Sequence, residues 1–144
     1  MKEFETFEHG ADIGIRGYGK VPEEALSNIL KALATIMVET PSFLDKKPET
    51  KERISLSAEY LDELLVVFVN KVLSLSAINE VIYYQFKGIL ERKNGLYQLN
   101  GEVWGVPYDF EKYGCGVEVK GATFTLAKFE KINEHYVAQC VVDV

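Results

Sequence analysis

Apolar residues recur at helical spacing in two stretches of the chain. After Pro22-Glu23-Glu24, the residues Ala25, Leu26, Ile29, Leu30, Leu33, Ile36 and Met37 fall along one side of a helix. Proline suits the first helical position, and the two acids suit the positive end of the helix dipole. Thr40-Pro41-Ser42 ends that helix. A second helix is predicted from about Ala58 to about Ser76. Leu61, Leu64, Leu65, Phe68, Val69, Val72 and Leu73 form its wide apolar face, and Asn79-Glu80 stops it.

Elsewhere the pattern alternates. Residues 3–9 and 11–17 read as strands, with Ile13, Ile15 and Gly17 set against Gly14 and Arg16. Gly17-Tyr18-Gly19-Lys20 reads as a turn, and residues 42–50 as a charged loop. Ile54 and Leu56 alternate with Arg53 and Ser55 in a short half-buried strand. An aromatic strand from Val81 to Leu90 precedes Asn94-Gly95, a strong hairpin signal, and a partner from Leu96 to Val103. Pro107-Tyr108-Asp109 begins a longer loop. Residues 117–131 and 135–144 form a last hairpin around Ile132-Asn133-Glu134. The order of elements predicts a single α+β domain over residues 1–144, with two helices packed on a largely antiparallel sheet.

Composition narrows the function classes. With 144 residues, 47% hydrophobic content and 26% charge, the chain has enough apolar material for one core. A net charge of −6 disfavours a protein that coats nucleic acid, and the only adjacent basic pairs are Lys46-Lys47 and Arg92-Lys93. The strongly apolar run Leu64 to Val69 falls far short of the roughly 20 residues that span a bilayer. The amino-terminal residues show no signal-peptide pattern, so a cytoplasmic location is expected. Cys115 and Cys140 belong to no CxxC pair, so they are expected as buried inert thiols rather than zinc ligands.

Candidate chemistry concentrates in two aspartates. Asp12 and Asp143 each sit in a strand-like stretch of small or apolar residues, where Asp is depleted and costly to bury unpaired. Taken singly, Asp12 reads as a turn residue capping its own backbone, and Asp143 as an exposed strand end. Taken together with the carboxylate at Val144, they make an oxygen-rich corner suited to Mg²⁺, Mn²⁺ or Ca²⁺. His9 beside a turn reads as structural before it reads as a ligand or base, and His135 at a hairpin tip reads as solvated. Two histidines so placed build no Ser/His/Asp or Cys/His nucleophile. Gly17-Tyr18-Gly19 lacks the third glycine and the Lys-Ser/Thr pair of a phosphate loop. Trp104, Tyr83, Tyr84 and Tyr97 read as sheet-face packing rather than a base-stacking platform.

The stretch His9-Gly10-Ala11-Asp12-Ile13-Gly14-Ile15-Arg16-Gly17-Tyr18-Gly19, followed by Glu23-Glu24-Ala25, resembles the opening of the archease family. Leu61-Asp62-Glu63-Leu64-Leu65 resembles that family's second helix. Gly105-Val106-Pro107-Tyr108-Asp109 through Val119-Lys120-Gly121-Ala122-Thr123-Phe124 resembles its central region, and Val142-Asp143-Val144 its end. Departures fall at Gly10, where the family has Thr, at Lys112-Tyr113 for Arg-His, at Thr125 for His, and at Phe68 for Trp.

The resemblance implies a small α+β protein cofactor of an RtcB-type RNA ligase. Such a protein promotes ligase guanylylation and turnover in tRNA splicing or RNA repair. It implies a divalent cation on Asp12, Asp143 and the Val144 main chain, with Lys120 matching the central-motif lysine. His9 and Lys120 are then the candidate partner contacts. No catalytic residue, membrane association or direct stable nucleic-acid binding is expected. Two alternatives stand beside this: a general chaperone or modulator of nucleic-acid-modifying proteins, and a small metal-dependent hydrolase. The hydrolase ranks last, because no positioned base or nucleophile is visible.

Overall fold

The computed structural model describes residues 2–144. Its strands are β1 (Phe4–His9), β2 (Asp12–Gly19), β3 (Thr50–Ala58), β4 (Val81–Lys93), β5 (Leu96–Pro107), β6 (Gly121–Ala122), β7 (Lys128–Ile132) and β8 (His135–Asp143). Its helices are α1 (Pro22–Met37), α2 (Leu61–Asn79) and the four-residue α3 (Phe110–Tyr113). All strand pairing is antiparallel, in the expected α+β class, but the strands divide between two sheets. One is ordered β1-β2-β8, with β6 and β7 sharing the far edge of β8; the other is ordered β3-β5-β4.

Both long helices begin with the same device. Pro22 opens α1, and the Glu24 carboxylate reaches back to accept the Lys20 backbone N–H at 2.8 Å. Glu63 does the same for the Glu59 N–H at 3.0 Å, which starts α2 three residues later than the apolar spacing suggested. Each carboxylate satisfies a backbone donor beside a helix start, where negative charge is favoured. α1 touches both sheets, mainly through β2 and β4, while α2 packs on β3, β4, β6 and β7. The core between them includes Ile15, Leu26, Ile29, Leu30, Leu33, Leu64, Leu65, Phe68, Val69 and Cys140. Phe68 meets Phe86 edge to face at 5.4 Å between ring centres. Burying each such Leu or Phe side chain contributes about 1.5–3 kcal/mol.

Three local expectations are corrected, and a fourth gains detail. Residues 17–20 do not form the predicted turn; β2 continues through Gly19. The glycines are there because α1 crosses so closely. A Cβ on Gly17 would collide with main-chain atoms of Ile29 and Ala25, and one on Gly19 with Ala25 and Glu24. The loop expected over 42–50 is present up to Glu49, and β3 begins at Thr50, but one loop residue joins a core. Phe43 is buried against Tyr84 and Tyr113, at 5.0 and 4.9 Å, in a second small cluster. The predicted strand 117–131 is broken into β6 and β7. The residues before it bond instead to the end of α1, with Gly116 N–H donating to Met37 and Val117 N–H to Ile36. Cys115 is exposed, whereas Cys140 is buried as expected and its thiol is pushed up to about 12 by that burial.

The Gly17 contact is testable by denaturant unfolding. Gly17→Ala forces α1 away from β2 and should cost about 1–3 kcal/mol, the range for overpacking a tight interior. A loss below about 0.5 kcal/mol, typical of a free surface site, would show that α1 does not press on β2 there.

Candidate metal centre

β1 and β2 form a hairpin whose two loop residues are Gly10 and Ala11, between the paired residues His9 and Asp12. Gly10 has φ 61, while Ala11 is not in the positive-φ region. Positive φ at the first loop residue is the requirement of a type II′ turn, and glycine meets it without strain. Gly10 is thus a turn requirement in this chain, not simply a lost threonine. The turn fixes where Asp12 enters β2.

β2 then pairs with β8 in the register Ile13 with Val142, Ile15 with Cys140 and Gly17 with Ala138. One further pair along this register sets Asp12 opposite Asp143. Opposed residues of an antiparallel pair project from the same face, with Cα atoms roughly 4.5–5.5 Å apart. The Val144 backbone N–H donates to Asp12 Oδ1 at 3.4 Å, closing the corner across 132 positions of chain. Asp12 and Val144 are half-buried, and Asp143 is exposed. Neither aspartate has an ion-pair partner among the described residues.

The other named residues gather around the same corner. His9 lies opposite Asp12 across the hairpin and is exposed. The backbone N–H of Lys120 donates to the Asp143 carbonyl at 2.8 Å, so Lys120 is anchored beside the carboxylates while its side chain is exposed. Next to it, Gly121 pairs with Asp143. Asn70 is the residue that sequence reasoning passed over. From α2 its side chain donates to the Ala122 carbonyl at 3.2 Å and accepts from the Ala122 N–H at 2.9 Å. That clasp holds β6 beside Asp143. Its signal was a polar side chain within the apolar run of α2.

The donor set fits a hard cation in chemistry. Two carboxylates on one face, without ion-pair partners among the described residues, offer oxygen ligands only, while the main-chain group turned toward Asp12 is the Val144 N–H, a donor and not a ligand. Among the described residues, no group of three or more His, Cys, Asp or Glu side chains is placed to hold a metal ion. A cation here would therefore complete its shell with main-chain oxygens and water.

Further along the same face lies a charged cluster. Arg16 Nε donates to Gln139 Oε1 at 2.6 Å, Arg16 also pairs with Glu5, and Tyr18 OH donates to Glu5 Oε1 at 2.6 Å. Hydrogen bonds from Tyr18 and then Arg16 hold the Glu5 carboxyl far below its ordinary 4.5, at about 2. His135 sits at the β7–β8 hairpin tip as expected, paired with Ile132, but it is half-buried beside Arg16, Tyr18 and Lys128 rather than fully solvated.

A two-sheet α+β domain that presents paired carboxylates at a strand end is thus defined. The model of the Archease protein family (MTH1598/TM1083) matches residues 4–144. The chain is 37% identical over 145 residues to the protein archease of Pyrococcus furiosus, and 34% identical to that of Pyrococcus abyssi; each alignment covers 100% of both chains. The solution structure of Methanobacterium thermoautotrophicum protein 1598 superposes with a TM-score of 0.82 at 24% identity, over 100% of both chains. This chain belongs to the archease family. No helix of the described residues is long and apolar enough to cross a membrane.

The Glu5 cluster carries a pH prediction. A carboxyl depressed in the folded state contributes stability that is complete above its unfolded value and lost as pH falls toward its folded value. Thermal unfolding should therefore show wild-type stability dropping between about pH 4.5 and pH 2. Glu5→Gln should flatten that drop while lowering stability at pH 7. Parallel profiles for the two proteins would mean that Glu5 is not held by Tyr18 and Arg16 in solution.

Proposed function

We propose that this protein is a metal-binding accessory factor that activates an RtcB-type RNA ligase, promoting guanylylation and multiple turnover in tRNA splicing or RNA repair. The observation that carries the reading is the meeting of Asp12, Asp143 and the Val144 main chain at one corner. Membership of the archease family supports it. Asp12, Asp143 and Val144 would hold a divalent cation, Ca²⁺, Mg²⁺ or Mn²⁺. When bound, that cation supplies charge neutralisation at oxygen atoms, the need of any step that handles nucleotide phosphates.

The chain's own residues do the rest. Lys120 and His9 flank the carboxylates and are the contacts offered to the ligase. Phe124 and Leu126, 61% and 51% exposed, lie three and five residues beyond Gly121 and add apolar surface to the segment that follows β6. Nothing in this arrangement positions a nucleophile or base, which sets a hydrolase aside as the weaker reading. A chaperone reading has one feature of its own. A groove of about 510 Å³, lined in part by Met37, Leu73, Tyr108, Phe110 and Val117, leaves apolar surface uncovered. A Thermotoga maritima archease structure, 21% identical with a TM-score of 0.53, is described as a possible chaperone.

The test is RNA ligation by the cognate ligase under multiple turnover, with and without this protein. Asp143→Ala should abolish the stimulation yet change stability by no more than about 0.5 kcal/mol, as at other exposed sites. It relieves repulsion between two like charges when no metal is bound. Stimulation that survives Asp143→Ala, or suppression of aggregation of unrelated proteins without any effect on the ligase, would favour the chaperone reading. Turnover of a phosphoester by the protein alone would favour the hydrolase.

A further inference from the structure

The outer face of the β3-β5-β4 sheet is built unlike the rest of this acidic protein. Alternation points Ile54, Leu56, Phe86, Leu99 and Val103 toward the helices, and Lys51, Arg53, Lys87, Glu102 and Trp104 away from them. The register stacks these in two rows. Lys51, Trp104 and Gln85 stand side by side, and Arg53, Glu102 and Lys87 form the next row. Rows two residues apart along a strand are about 6.8 Å apart. Three cations thus surround one carboxylate, which pairs with Lys51 at 3.2 Å, and Arg53 has no ion-pair partner among the described residues. Lys51 and Lys87 also hold their ammonium groups over the Trp104 ring, at 5.1 and 5.2 Å from its centre. Trp104 is half-buried, and its indole Nε1 is itself buried with no hydrogen-bond partner among the described residues, so the ring is held by the flanking lysines and sheet packing and not by a polar contact.

We propose that this face binds single-stranded nucleic acid, with a base stacked on Trp104 and the sugar–phosphate backbone held by Lys51, Arg53 and Lys87. The two lysines now over the ring are the groups that phosphates would draw aside, and the ring they uncover is what a base stacks on. A duplex offers the phosphates but keeps its base faces closed. An acidic peptide offers charge but nothing for the ring. The patch revises the expectation drawn from net charge alone, because surplus acid elsewhere does not cancel a local excess of cations on one face. It involves neither Asp12 nor Asp143, so it stands or falls apart from the ligase reading.

Trp104 is the only tryptophan in the chain, so indole fluorescence, excited at the red edge where tyrosine does not absorb, reports on this site alone. The full-length protein is titrated with an eight-nucleotide oligoadenylate RNA, the same DNA, a matched duplex and a polyglutamate peptide, without ligase. Fluorescence and the anisotropy of labelled probes are followed. The single strands should quench Trp104 with a Kd of order 10⁻⁴ M at physiological salt, and log affinity should fall against log salt with a slope of about −2 for three cations. The double variant Lys51→Gln/Lys87→Gln should bind at least tenfold more weakly, with a slope nearer −0.7. Trp104→Leu should lose about tenfold, read by anisotropy. The exposed lysine variants keep the test decisive if Trp104→Leu does not fold. Absence of quenching up to millimolar strand, equal binding of duplex or polyglutamate, or wild-type affinity in the lysine variant would overturn the proposal.

Discussion

Pairing of β2 with β8 joins a strand near the start of the chain to one at its end, and most of the architecture hangs on it. β8 is buried from Val137 to Val142: the helices cover one side, residues 123–125 bond main chain to main chain along its edge, and the Gln139 side chain donates to the Leu126 carbonyl. A strand so enclosed has a strongly specified register. A slip of one residue would move every side chain to the wrong face. The same slip would carry Asp143 away from Asp12. The packing that stabilises the domain and the geometry that assembles the carboxylates are therefore one constraint, which lets two exposed or half-exposed acids meet without a network of their own.

The second constraint is space for α1, which lies against both sheets. β2 yields that space by giving up side chains at Gly17 and Gly19. α2 plays a different part. Its apolar face completes the core, and Asn70, clasping Ala122, fixes the short β6 against the end of β8. That clasp adds to the two paired residues of β6 and to the bonds that Lys120 and Thr123 make to β8 on either side of it.

Much of this was legible in the residues. Apolar periodicity located both long helices, and Asn94-Gly95 marked a hairpin in which both residues adopt positive φ. Asp12 and Asp143 stood out because acids in apolar strands need a reason, and the fold brings them to one corner. The missed features share a cause: each depends on an element distant in sequence. Gly17 and Gly19 look like turn residues until a helix lies on them. Phe43 looks like a loop residue until Tyr84 and Tyr113 close around it. Cys115 resembles a pre-strand residue, but its segment bonds to the end of α1 and leaves the thiol outside. Trp104 reads as sheet-face packing, and it is half-buried, but alternation alone does not say that lysines from both neighbouring strands lie over its ring. A net charge of −6 likewise averages an acidic corner with a basic sheet face.

The central claim is that one fold-dependent corner, made by Asp12, Asp143 and Val144, holds a divalent cation. Crystals grown with Mn²⁺ and measured for anomalous scattering address it directly. A peak bridging the two aspartate carboxylates, absent in Asp12→Asn, is the predicted result. A peak at other residues only, or none at a Mn²⁺ concentration that saturates binding in solution, would contradict it.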